Sequence, residues 1–76
     1  MTRLPVISGA AAVRTFEAAG WLIARQKGSH IILIKQGRRA NLSVPLHKEL
    51  DPGTLRGLIR DAGMTVAEFV RCLERS

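Results

Sequence analysis

Arg25-Gln26-Lys27-Gly28-Ser29-His30-Ile31-Ile32-Leu33-Ile34 is the stretch that decides the fold. Gly28-Ser29 sits between a basic run and an isoleucine-rich one. A two-residue loop with glycine first is a β-hairpin signature, because the first central residue of such a turn needs a positive φ. The flanking strands are expected at Trp21 to Gln26 and His30 to Lys35. In a two-residue loop Lys27 and His30 stand directly opposite each other, with side chains on one face and Cβ atoms about 5 Å apart. Arg25 falls on that same face, opposite Ile32. Both faces of His30 to Ile34 are apolar. Helices can cover one, which leaves the other for a partner or a second copy.

Outward from the hairpin, Gln36 to Arg38 makes a turn around Gly37. Ala40 to Pro45 then reads as a third strand, with Leu42 and Val44 alternating with Asn41 and Ser43. Pro45 ends the ladder or marks an edge strand, since it cannot donate to it. Upstream, Ser8 is placed to cap a helix that Gly20 stops, with Val13, Phe16 and Gly20 on one side. Downstream, Asp51 caps a second helix that starts at Pro52 and buries Leu55, Leu58, Ile59 and Ala62 before Gly63. Thr65-x-x-Glu68 is a capping box for a short last helix carrying Phe69, Val70 and Leu73. Helix, three antiparallel strands, helix and short helix make an α+β chain, with its helices on one face of a single sheet.

At 76 residues the chain is expected to form one small domain over 1–76, which buries roughly 60% of its unfolded surface and leaves little room for a deep pocket. The net charge is +6, and it is localised. From Ala18 to Lys48 there is no Asp or Glu, yet the stretch holds Arg25, Lys27, Lys35, Arg38, Arg39 and Lys48, while the flanks cancel their own charges. A one-signed segment attracts polyanions, because neutralising phosphates releases counterions. Cys72 is the one cysteine, so an internal disulfide is impossible and a reducing, cytoplasmic setting is expected. The N-terminus lacks a signal-peptide pattern, and no apolar run approaches membrane-spanning length.

Two histidines, His30 and His47, lie in the basic segment at strand ends. With one distant cysteine they give no recognisable metal-ligand spacing, and no glycine-rich phosphate loop runs from a strand into a helix. A Ser-His-Asp arrangement would draw on Asp51 or Asp61, and Asp51 is better used as a cap. Acid–base chemistry on RNA remains. RNA carries its own nucleophile, the 2′-OH, so a protein need only move protons and stabilise the phosphate. Histidine suits the proton steps. A lysine beside it can contact the phosphate as negative charge grows there.

Arg25-Gln26-Lys27-Gly28-Ser29-His30, Val44-Pro45-Leu46-His47, Gly53-Thr54-Leu55-Arg56, and Ala62-Gly63-Met64-Thr65 followed by Glu68-Phe69 resemble, in order and spacing, the HicA (YcfA-like) toxins. The resemblance implies a double-stranded-RNA-binding-domain-like α-β-β-β-α fold. It also implies ribosome-independent cleavage of mRNA without a cofactor or metal, and neutralisation by a HicB-like antitoxin, with any DNA contact made through that antitoxin. It assigns His30 as the essential histidine. Around it, Arg25, Lys27, Gly28, Ser29, Lys35, Arg38, Arg39 and His47 are expected to bind RNA or support the site. His47 either protonates the leaving group or fixes its loop. The family often has a second histidine after Gly-Ser-His, and here that position is Ile31. Two other readings use the same elements. A non-catalytic RNA-binding module would carry a lysine cluster at the start of its last helix, where this chain has Leu50-Asp51-Pro52-Gly53. A DNA-binding helix-turn-helix over Leu55 to Leu73 would present Glu68 and Glu74 beside Arg71, with no Asn or Gln for base edges.

Overall fold

The first helix, α1 (Gly9–Ala18), begins where a hydroxyl meets its free N–H groups: Ser8 Oγ accepts from Ala11 N–H at 3.1 Å. It stops where Gly20 takes a φ of 100°. The computed structural model, which describes residues 2–76, continues with strands β1 (Leu22–Lys27), β2 (His30–Ile34) and β3 (Leu42–Pro45), then helices α2 (Pro52–Asp61) and α3 (Val66–Arg75). The strands form one antiparallel sheet in the order β1-β2-β3. This is the α-β-β-β-α order of the double-stranded-RNA-binding-domain-like fold, with one helix added.

The core lies between the sheet and the helices. Ile31, Leu33, Leu42 and Val44 project from one sheet face and pack with Ala12, Val13 and Phe16 of α1 and Leu55, Leu58 and Ile59 of α2. Each such large side chain contributes about 1.5–3 kcal/mol on leaving water. Phe69 brings α3 against α1: its ring lies 5.0 Å from that of Phe16, tilted by 58°, and both are fully buried. The opposite sheet face is open. Leu22 and Ile34, paired across β1 and β2, are 65% and 41% exposed.

Several local expectations need correction. Trp21 is a buried core residue just before β1, not its first residue, and β1 runs on to Lys27. β2 ends at Ile34 and β3 starts at Leu42. Asp51 occupies the N-cap position of α2, but its side chain makes no capping bond. The last helix is 10 residues long, as are α1 and α2, so it is not a short appendage. Ala24 has no partner between the pairs Ile23↔Leu33 and Arg25↔Ile32, which marks a β-bulge that increases the local twist. The segment before α1 also has a structural task. Leu4 and Ile7 pack on the core, and Ile7 C=O accepts from Leu50 N–H at 2.8 Å, strapping the loop that leads into α2.

Candidate functional site

The hairpin turn is built by one glycine. Gly28 has φ 61°, and no residue other than glycine has a positive φ among the described residues, the pattern of a turn that demands φ > 0 at its first central position alone. The side chain of Gln26 donates from Nε2 to Gly28 C=O at 3.0 Å and braces the turn from β1. With that loop length fixed, Lys27 pairs with His30 and Arg25 with Ile32, as the sequence requires. Successive strand side chains alternate faces, and Ile31 and Leu33 belong to the core. Lys27 and His30, and Arg25 on the same side, therefore point from the open face. All three side chains are exposed.

His30 is also held from the other side. It pairs with Pro45 of β3, and the ladder continues one step beyond the strands, where Leu46 N–H donates to Ser29 C=O at 2.8 Å. Two residues after Pro45, His47 C=O accepts from Gly9 N–H at 2.9 Å. Pro45 thus does not end the pairing but lies on an edge strand, and the chain after it is turned back over the N-terminus of α1. Gly9 makes that approach possible, because a Cβ there would overlap the carbonyl of Pro45. Both histidines, Lys27, Gly28 and Ser29 thus gather at one end of the sheet, on a backbone frame drawn from three separate parts of the chain. His47 is exposed and borders a cleft of about 320 Å³ with Leu50, Pro52 and Thr54 at the start of α2.

Lys35, Arg38 and Arg39 are not part of this grouping. Five residue steps along β2 separate Lys35 from His30, about 17 Å at strand rise. Lys35 Nζ donates to Ala19 C=O at 2.9 Å and Arg38 Nη2 to Asp61 C=O at 3.0 Å. Each thus satisfies a carbonyl at the C-terminal end of a helix, where a cation is favoured by the helix dipole. Arg39 is exposed in the loop between β2 and β3. No cation at the hairpin end has a carboxylate within 4 Å, the sole ion pair among the described residues being Arg60–Asp61 at 3.5 Å, although Glu49 and Asp51 line the cleft beside His47. No group of three or more His, Cys, Asp or Glu side chains is placed to hold a metal ion among the described residues. No helix there is long and apolar enough to cross a membrane.

The sequence reading missed two features. The brace from Gln26 has no sequence signal, because a glutamine on an exposed strand is unremarkable. Arg71 and Arg75 on α3 join Lys35 and Arg38 around a second cleft; their i, i+4 spacing, which puts them on one helix face, was the available clue.

The family model described as the HicA toxin of bacterial toxin-antitoxin matches residues 9–64 of the chain. That range runs from the start of α1 past the end of α2 and includes both histidines. Among solved structures, one chain of a toxin–antitoxin complex from Streptococcus pneumoniae is 39% identical, with a TM-score of 0.67 over 76% of this chain and 98% of that one. No curated protein matches.

Proposed function

Because the chain belongs to the HicA toxin family, we propose that it is an endoribonuclease that cuts mRNA through His30 and so inhibits translation. The observation that carries this reading is the direct pairing of Lys27 with His30 on the exposed end of the hairpin. The neutral ring of His30 takes the proton of a ribose 2′-OH. The 2′-oxygen then forms a bond to the adjacent phosphorus, and the bond from phosphorus to the 5′-oxygen breaks. Lys27, with Arg25 behind it, faces the phosphate oxygens as their charge grows. The departing 5′-oxygen takes a proton from a second group. His47, at the same end of the sheet, is the candidate, and its backbone bond to Gly9 survives replacement of the ring, so His47→Ala tests the ring alone. The products are a 2′,3′-cyclic phosphate and a 5′-hydroxyl.

The open sheet face suits a protein partner as well. Leu22 and Ile34 form an apolar strip beside the cationic end of the sheet. The related Streptococcus pneumoniae chain comes from a toxin–antitoxin complex. An antitoxin resting on this face would cover His30 and neutralise the toxin. DNA contact then comes through the antitoxin, and the chain acts in the cytoplasm.

The test is cleavage of a defined mRNA by the purified protein in excess EDTA, with its ends mapped. The wild type is expected to leave cyclic-phosphate ends. His30→Ala is expected to be slower by roughly 10²–10⁴-fold, the usual contribution of a positioned acid or base. Equal cleavage by both proteins would remove His30 from the mechanism. RNA binding without cleavage by the wild type would favour the non-catalytic module.

A further inference from the structure

The second cleft, of about 420 Å³, opens between the end of α1, the β2–β3 loop and the α2–α3 pair. Four cations line it: Lys35, Arg38, Arg71 and Arg75. None has a carboxylate partner within 4 Å among the described residues. Two of the four are fixed in place. Lys35 is tied to Ala19 C=O, and Arg38 to Asp61 C=O. The guanidinium of Arg38 lies across Gly63, where a Cβ would come within 2.8 Å of both Nη atoms.

The simplest account is that these cations offset the helix ends beside them. The magnitudes do not allow that to be all. The C-termini of α1 and α2 carry roughly −0.5 each. Glu68 is the one acidic residue lining the cleft, and its carboxylate is engaged by Thr65 N–H at 2.8 Å. These amount to about −2 against four positive side chains, while the two ends of α3 offset one another. About two positive charges remain, in a concave site, with most of the N–H donors of three guanidinium groups uncommitted.

We propose that this cleft is a second phosphate site, which holds the RNA strand some distance from the bond being cut. The inference rests on the ribonuclease reading above and adds residues outside the family match, since Arg71 and Arg75 lie beyond residue 64. Guanidinium forks fit phosphate oxygens in pairs. His30 and Lys35 stand about 17 Å apart along β2 and point to opposite faces of the sheet, so a strand that reaches both must pass around the sheet and exceed that length. A short oligonucleotide can occupy the His30 end alone, whereas a longer one reaches both. The cleft thus selects for length.

Fluorescence anisotropy on the slow-cleaving His30→Ala protein tests this, using single-stranded RNAs of about three and about twelve nucleotides. Arg71→Gln/Arg75→Gln on that background is expected to weaken the longer RNA about tenfold. It is also expected to make the salt dependence shallower by about 0.7 in log–log slope for each phosphate that is no longer neutralised, and the ratio of long to short affinity falls. Arg14→Gln/Arg56→Gln removes the same charge outside the cleft and serves as the control, with circular dichroism melts verifying the fold of each. If the two double variants weaken both RNAs alike, only net charge matters and the proposal is overturned while the ribonuclease reading stands. If the parent neither binds nor cleaves any RNA, both fall together.

Discussion

Gly9 and Gly28 exclude side chains for unrelated reasons, and the difference is measurable. At Gly28 there is open space where a Cβ would go, but the left-handed φ costs an L-residue about 1–2 kcal/mol. Gly28→Ala is expected to lower stability by about that much and to disturb the turn that sets Lys27 against His30, so RNA cleavage falls more than stability alone explains. At Gly9 the constraint is collision with Pro45. Gly9→Ala is expected to cost about 2–3 kcal/mol, the upper range for overpacking, read as a lower urea midpoint. It also loosens the bond that holds His47. The role of Gly28 was legible in the sequence, because a Gly-Ser pair between two strand-like runs has one common geometry. That of Gly9 was not, because its contact is with a segment distant in the chain. Asp51 shows the opposite error: the residue type suits a cap, yet the side chain makes no capping bond, since Asp-Pro at a helix start fixes the backbone without it.

Among the elements, α3 combines the strongest local signal with a non-local anchor. Its capping box was readable from Thr65-x-x-Glu68 and is fully formed, with Glu68 N–H donating to Thr65 Oγ1 at 3.1 Å and the Glu68 carboxylate accepting from Thr65 N–H. Hydrogen bonding to the carboxylate, from the Thr65 backbone N–H first and then its side chain, holds the Glu68 carboxyl below the usual glutamate range, with help from Arg71. A depressed carboxylate pKa stabilises the folded chain in full above the unfolded value, and that contribution fades as pH falls through the folded value. Thermal melts at neutral pH and in the acid range are therefore expected to show a loss of stability on acidification that Glu68→Gln reduces. Phe69→Ala is expected to cost about 3–5 kcal/mol, because it leaves the ring of Phe16 facing a cavity. The existence and order of the strands were legible from their apolar runs and turn residues. The bulge at Ala24 was not, since every residue of β1 is exposed and no alternation remains to show a slipped register.

At the scale of the whole molecule, the charge of +6 is what suggests the polyanionic substrate proposed above, but the sequence does not reveal that its cations divide between two ends. The division follows from the length of β2 and from the pull of two helix C-termini on Lys35 and Arg38, neither of which is written in a local motif. The open face divides as well, cationic near the turn and apolar near Leu22 and Ile34. Ile34→Lys is expected to weaken antitoxin binding at least tenfold in calorimetry while leaving the far-ultraviolet spectrum unchanged; undiminished affinity would place the antitoxin elsewhere. The strand order has one more consequence. β1 is an outer strand, so one of its sides offers unpaired N–H and C=O groups along a stretch flanked by exposed Leu22 and Ile23. Such a rim invites stacking with another copy into fibrils, and charged residues and a bulge are the usual protections. Arg25, Lys27 and the irregularity at Ala24 supply both. The cations assigned here to the substrate are thus also gatekeepers against aggregation, and neutralising them is expected to bring on light scattering and thioflavin fluorescence in concentrated solution even when no nucleic acid is present.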